Sequence, residues 1–111
     1  MTYEASINIF KALSHPARLQ IMDMLRRGEQ CVCHIETALG KRQAYVSQQL
    51  MILRDAGLVE SRKDGLRVYY RIDSPKALAI LKATLGEVTN APPLRLMDCP
   101  CPQCEPEQAV T

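Results

Sequence analysis

Tryptophan is missing from this chain, phenylalanine occurs once and tyrosine four times, so the interior must be assembled from Leu, Ile, Val, Met and Ala. No run approaches 18 consecutive apolar residues, which excludes an ordinary membrane-spanning helix. The N-terminus has neither the basic segment nor the apolar stretch of a secretion signal, and a soluble, cytoplasmic protein is expected. No Ser/His/Asp set, phosphate loop or paired-carboxylate motif stands out, which argues against an enzyme. At 111 residues the chain suits one domain with a modest core, and small helical domains often complete such cores by dimerising. The five cysteines are an odd number, a poor fit to a disulfide framework. In a reducing compartment they are expected to be metal ligands or redox sensors.

What is present centres on Gln43 to Leu53. Val46, Leu50 and Leu53 fall at i, i+4 and i+7, one stripe of a helix, while Gln43, Ser47, Gln48 and Gln49 lie largely off it. Gln and Ser carry donors and acceptors without fixed charge, so they can read base edges in a major groove or hold phosphate oxygens. A shorter apolar helix, roughly Val32 to Leu39, precedes it and ends at Gly40, and the pair reads as a helix-turn-helix. After a stop at Gly57, two β-rich runs, Leu58 to Arg62 and Leu66 to Ile72, are joined by Lys63-Asp64-Gly65, a hairpin signal that makes a wing. Net charge is only +2, yet residues 41 to 72 hold seven basic side chains against three acids. The excess sits on the DNA-reading half, where phosphate neutralisation needs it. Arg42, Tyr45, Arg62, Lys63 and Arg67 join Gln43, Ser47, Gln48 and Gln49 as candidate DNA contacts.

The flanking segments are helical. Ile7, Phe10 and Leu13, with Ile9, pattern a first amphipathic helix over residues 3 to 13. A second starts where Ser14 can cap and Pro16 gives up an N–H that has no acceptor in a first turn. His15, alone at that helix start, reads as structural rather than as a ligand. Leu19, Ile21, Met22 and Leu25 give the second helix its apolar face, and Arg26-Arg27-Gly28 ends it. Ser74-Pro75 repeats the start, and Leu78, Ile80, Leu81 and Leu85 carry a last helix to about Gly86. Five of seven prolines lie in the last twenty residues, so residues 91–111 form a tail unsuited to regular helix or central strand, beyond a domain of residues 1–90. The fold expected is mostly α with a small β-hairpin, in the order α-α-α-α-β-β-α.

Leu13-Ser-His-Pro-Ala-Arg-Leu-Gln-Ile21, Cys31-Val-Cys33, Val46-Ser-Gln-Gln-Leu50 and Leu53-Arg-Asp-Ala-Gly-Leu-Val59, in that order of elements, resemble the ArsR/SmtB (arsenical-repressor) family over roughly residues 5 to 86. The resemblance implies a homodimeric winged helix whose first and last helices form the dimer interface. It implies a repressor that sits on an imperfect inverted repeat in double-stranded operator DNA and leaves when an inducer binds. Gln43, Ser47 and Gln49 then match recognition-helix positions that face DNA, and Arg62, Lys63 and Arg67 match the wing. Arg42 stands where the family more often has a Ser or Thr cap.

Cys31 and Cys33 sit where the helix before the turn begins. Positions i and i+2 of a regular helix lie about 200° apart and cannot hold one small ion, so the pair chelates only if that segment is extended or frayed. A ligand there would pull on the element that positions the recognition helix. In the family, Cys-x-Cys at this place resembles the thiolate site of arsenic, antimony, cadmium or lead sensors, and arsenic(III) is the first expectation. His34 is open as ligand, second-shell group or exposed residue. The resemblance also includes a zinc site on the last helix, which needs His and carboxylates that residues 74 to 87 lack apart from Glu87. Cys99, Cys101 and Cys104 bring three thiols within six residues, able to complete a site with Cys31 and Cys33, to bind a metalloid themselves, to form a cluster or to oxidise. Two functions therefore stand: release from DNA by a thiophilic metal or metalloid, or a redox or reactive-sulfur switch on the same fold.

Overall fold

The computed structural model describes residues 3–88. Helix α1 covers Tyr3–Leu13, α2 Pro16–Leu25, strand β1 Gln30–Cys31, α3 Val32–Leu39, α4 Gln43–Asp55, β2 Val59–Asp64, β3 Arg67–Ile72 and α5 Pro75–Leu85. This is the winged helix-turn-helix expected from the sequence, with one addition. The two-residue strand β1 pairs antiparallel with β3, giving a sheet in the order β1-β3-β2. Cys99, Cys101 and Cys104 and the rest of the expected tail at 91–111 lie outside the described residues.

Local chemistry sets the boundaries, twice differently from expectation. The cap at the start of α2 is His15, not Ser14. His15 is extended (φ −153°, ψ 132°) directly before Pro16, and its Nδ1 accepts the N–H of Ala17 at 3.1 Å. Ser14 Oγ instead donates to the carbonyl of Phe10 at 2.6 Å, closing the end of α1. At the wing, Asp64 pairs with Arg67, so the hairpin loop is the two-residue Gly65-Leu66 rather than Lys63-Asp64-Gly65. Gly65 takes φ +62°, the glycine-first arrangement whose twist suits a tight hairpin, and Leu66 is left fully exposed at the tip. Ser74 caps α5 as expected, its Oγ accepting the N–H of Ala77 at 3.2 Å. Gly40 ends α3 at φ +64°, which lets α4 begin three residues later.

Ile21 and Met22 of α2, Ile35 of α3, Val46, Leu50 and Leu53 of α4, Leu58, and Leu81 of α5 form the fully buried centre. The stripe on α4 is thus the side of the reading helix that the rest of the domain grips. Truncating one of these, Leu50→Ala for example, costs about 2–5 kcal/mol. The outer helices use only half of their apolar faces. Leu13 of α1 and Ala77 and Leu81 of α5 are buried, but Ile7 and Phe10 are 48% and 58% exposed, and Leu78 and Leu85 are exposed as well. No helix among the described residues is long and apolar enough to cross a membrane.

Candidate nucleic-acid interface and thiol site

With Val46, Leu50 and Leu53 turned inward, Gln43, Ser47 and Gln48 of α4 are left exposed. Gln43 and Ser47 are one turn apart on the same side. Arg42 is the exposed N-cap and makes no side-chain cap bond. Tyr45 is half-buried, and the Lys41 ammonium stands 5.7 Å from its ring centre. Gln49, expected to face DNA, does not: it is only 6% exposed. Its Oε1 accepts from Arg18 Nη1 at 2.9 Å, while Arg18 Nε donates to the carbonyl of Ala12 at 2.6 Å. A position just beside the apolar stripe packs against α2, and its amide serves an internal bond.

On the wing, Lys63 is exposed on β2. Arg62 makes a two-pronged contact with Glu29, at 2.8 and 2.6 Å, and its guanidinium lies 4.6 Å from the ring centre of Tyr69. The Arg62 hydrogen bond holds the Glu29 carboxyl below its ordinary range. Such a fork matches a phosphate as well as a carboxylate. The Tyr69 hydroxyl is pushed up by burial and by the nearby Cys31 sulfur.

The thiols meet beneath this face. Cys31 is buried at the end of β1 and extended (φ −71°, ψ 143°), and Cys33 lies in the first turn of α3. The helical obstacle to an i, i+2 pair is removed because only Cys33 is in the helix, and the two Sγ atoms are in contact at 2.7 Å. Arg67 of β3 reaches the pair, Nη1 standing 3.6 Å from Cys33 Sγ. Burial pulls the Arg67 guanidinium down, but a hydrogen bond to Cys31 and the charges of both sulfurs outweigh it and hold it above its ordinary range. An open cleft of about 320 Å³ is bordered by Cys31, Cys33, Glu36, Gln43, Ser47 and Arg67 among others. One wall is therefore the thiol pair, another the reading helix and a third the wing. His34 is 4% exposed, and burial pushes its imidazole below the usual range. It is not the exposed group that was one of its three expected roles.

Two thiols can grip one soft ion, and a trigonal or tetrahedral site needs one or two further donors. Among the described residues no three of His, Cys, Asp and Glu are gathered for a metal. The pair fits a thiophilic ligand in donor chemistry and reach, as one part of a site. Strand β1, Glu29 and the Arg67–sulfur contact escaped the sequence reading, since they depend on pairing between residues more than thirty positions apart. The one local hint was Gln30-Cys31, β-compatible residues after a glycine.

Residues 15–61 match the family model described as bacterial regulatory protein, arsR family. The biofilm growth-associated repressor of Agrobacterium fabrum is 40% identical over 75 residues, covering 68% of this chain and 64% of that protein, so the chain spans slightly less than two thirds of that relative. The transcriptional repressor BigR from Xylella fastidiosa superposes with TM-score 0.68 at 35% identity, over 80% of this chain and 100% of that one. A homodimeric winged helix-turn-helix DNA-binding domain from Mycobacterium bovis gives TM-score 0.70 at 36% identity, over 75% of this chain and 77% of that one.

Proposed function

The chain belongs to the arsR family of bacterial regulatory proteins, and from that premise we propose that it is a cytoplasmic, homodimeric transcriptional repressor released from its operator by a thiophilic metal or metalloid. Cys31 and Cys33 are the core ligands, one or more of Cys99, Cys101 and Cys104 complete the site, and arsenic(III) is the first candidate, before antimony(III), cadmium(II) and lead(II). Soft thiolates select such ions. A bound ion would add a covalent link between sulfurs that otherwise touch each other and Arg67.

The reading rests on one piece of geometry: the cleft beside the thiol pair is also bordered by Gln43 and Ser47 of α4 and by Arg67 of the wing. A ligand taken up there changes the fit of the two elements that meet DNA, so its binding is coupled to DNA affinity. Arg42, Gln43, Tyr45, Ser47 and Gln48 supply contacts from the helix, and Arg62, Lys63 and Arg67 supply phosphate contacts from the wing. The exposed apolar sides of α1 and α5 support a two-fold dimer, which presents two such surfaces to an inverted repeat.

Fluorescence anisotropy of the reduced, metal-free protein on DNA from its own upstream region, titrated anaerobically with arsenite, cadmium, lead and zinc, tests the reading. Release near one ion per site, lost in Cys31→Ser and Cys33→Ser, is the expected result. Binding unmoved by every ion rejects it.

The contact of the two free sulfurs at 2.7 Å supports a second reading, a redox switch. Two thiols would give two electrons and two protons to a peroxide or disulfide oxidant and join as one disulfide. Mass spectrometry of the oxidised, metal-free protein would then find a loss of two hydrogens within residues 31–33 together with lost DNA binding.

A further inference from the structure

The wing arginines are held by different partners, Arg62 by a carboxylate and Arg67 by sulfur, and only the second partner belongs to the thiol pair. Arg67 is half-buried and opens the strand whose Tyr69 pairs with Cys31 and whose Tyr70 pairs with Gln30. The wing strand is thus in register with the strand that carries Cys31, and the guanidinium, hydrogen-bonded to Cys31, also reaches Cys33 in the first turn of α3. A guanidinium carries its N–H donors in a rigid fork, so fixing one nitrogen fixes the direction of the others.

From this contact we infer that the Cys33 sulfur is a positioning group for DNA binding, which orients Arg67 toward an operator phosphate beside Gln43 and Ser47. The inference deepens the proposed function, since it names how the thiol site reaches DNA: a ligand on the sulfurs takes the lone pairs that Arg67 now uses and occupies the cleft it borders. The wing arginine then loses its fixed direction, and affinity falls without any large movement of α4.

A double-mutant cycle on the full-length, reduced, metal-free protein tests this. Operator affinity and its salt dependence are measured for the wild type, Cys33→Ala, Arg67→Gln and the pair. Arg67→Gln should weaken binding on the order of tenfold, as loss of a charged hydrogen bond does, and reduce the slope of log affinity against log salt by about one. Cys33→Ala should weaken binding severalfold in the wild type and not at all in Arg67→Gln, because both changes remove the same contact. Cys33→Ser, with a hydroxyl acceptor, should recover part of the loss, and Cys33→Val, which has no acceptor, replaces Cys33→Ala in the cycle if the alanine variant does not fold. Additive effects overturn the inference. A cadmium titration of the wild type, followed by thiolate absorption and anisotropy, separates the two ideas. Release with additive mutations sinks the positioning role alone, while non-additive mutations without release sink the repressor's inducer and leave the positioning role standing. Absence of any operator binding rejects both.

Discussion

Gln49 Oε1 and Arg18 Nη1 are hydrogen-bonded at 2.9 Å, and through this bond a glutamine of the reading helix works inward, toward α2 and the end of α1. Arg18 also donates to the carbonyls of Ala12 and Lys11, at 2.6 and 3.3 Å. The side chain therefore ties the last turn of α1 to the middle of α4. Removing it strands a buried amide oxygen and loosens a helix end. We expect Arg18→Ala to lower unfolding free energy by about 1–3 kcal/mol, the range for leaving a buried acceptor unpaired. Chemical denaturation followed by circular dichroism reads this. A midpoint equal to wild type would show that the bond contributes nothing.

Gln49 and Gln48 differ by one position, and their substitutions should separate cleanly. Gln48→Ala and Gln43→Ala, on the exposed face, should reduce discrimination between operator and scrambled DNA by about 1–3 kcal/mol per lost base contact. Gln49→Ala should cost stability while leaving that discrimination in place. Competition binding with the two DNAs decides it, and a specificity loss confined to Gln49→Ala would reverse the assignment of faces.

Lys63 is exposed on β2, and a phosphate contact carries no sequence information. Lys63→Ala should weaken operator and scrambled DNA alike and lower the salt slope by about one. Titrations over a range of salt concentrations measure the slope. An unchanged slope would take the wing tip off the DNA.

Much of this was legible because it depends on local patterns. The stripe Val46, Leu50 and Leu53 announces the buried side of α4 on its own, and Asp64-Gly65 announces a hairpin. The failures share a cause: they turn on contacts that sequence spacing does not encode. Gln49 is three residues after Val46 and four before Leu53, so it borders the buried stripe, and what its spacing does not show is the Arg18 donor that satisfies its amide oxygen there. His15 displaces Ser14 as the cap because it is the residue held extended against Pro16. The loop shrinks to Gly65-Leu66 because ladder pairing continues through Asp64 and Arg67. The Cys31–Cys33 pair was legible as a condition, an extended segment, and β1 meets that condition by pairing Cys31 with Tyr69.

Phe10, 58% exposed on α1, and Leu78, exposed on α5, are costly in water unless a second subunit covers them. A charge placed there should not disturb the monomer core, since neither side chain belongs to it. Phe10→Glu and Leu78→Glu should therefore keep the helical circular dichroism spectrum, shift sedimentation from dimer toward monomer, and weaken operator binding by the lost second half-site. Unchanged sedimentation in both variants would move the dimer interface elsewhere.

The buried His34 links acidity to stability, with a definite sign. Its folded pKa lies below the ordinary 6.5 because burial disfavours the charged imidazole. As pH falls through about 6.5, the unfolded chain takes up a proton at this position before the folded protein does. Stability is thus fully present above that value and declines as pH drops toward the folded pKa, where the effect levels off. The Glu29 carboxyl, held below its ordinary 4.5 by Arg62, contributes in the same direction but only at lower pH, so the two windows are distinct. For the reduced, metal-free protein, urea midpoints should be flat above about pH 7 and fall as pH drops below about 6.5. His34→Gln, which cannot titrate, should remove the decline in that window while leaving the loss below about pH 4.5. A wild-type midpoint that does not fall as pH drops below about 6.5 would mean that the imidazole is charged as easily inside the protein as in the unfolded chain, and would overturn the effect of its burial.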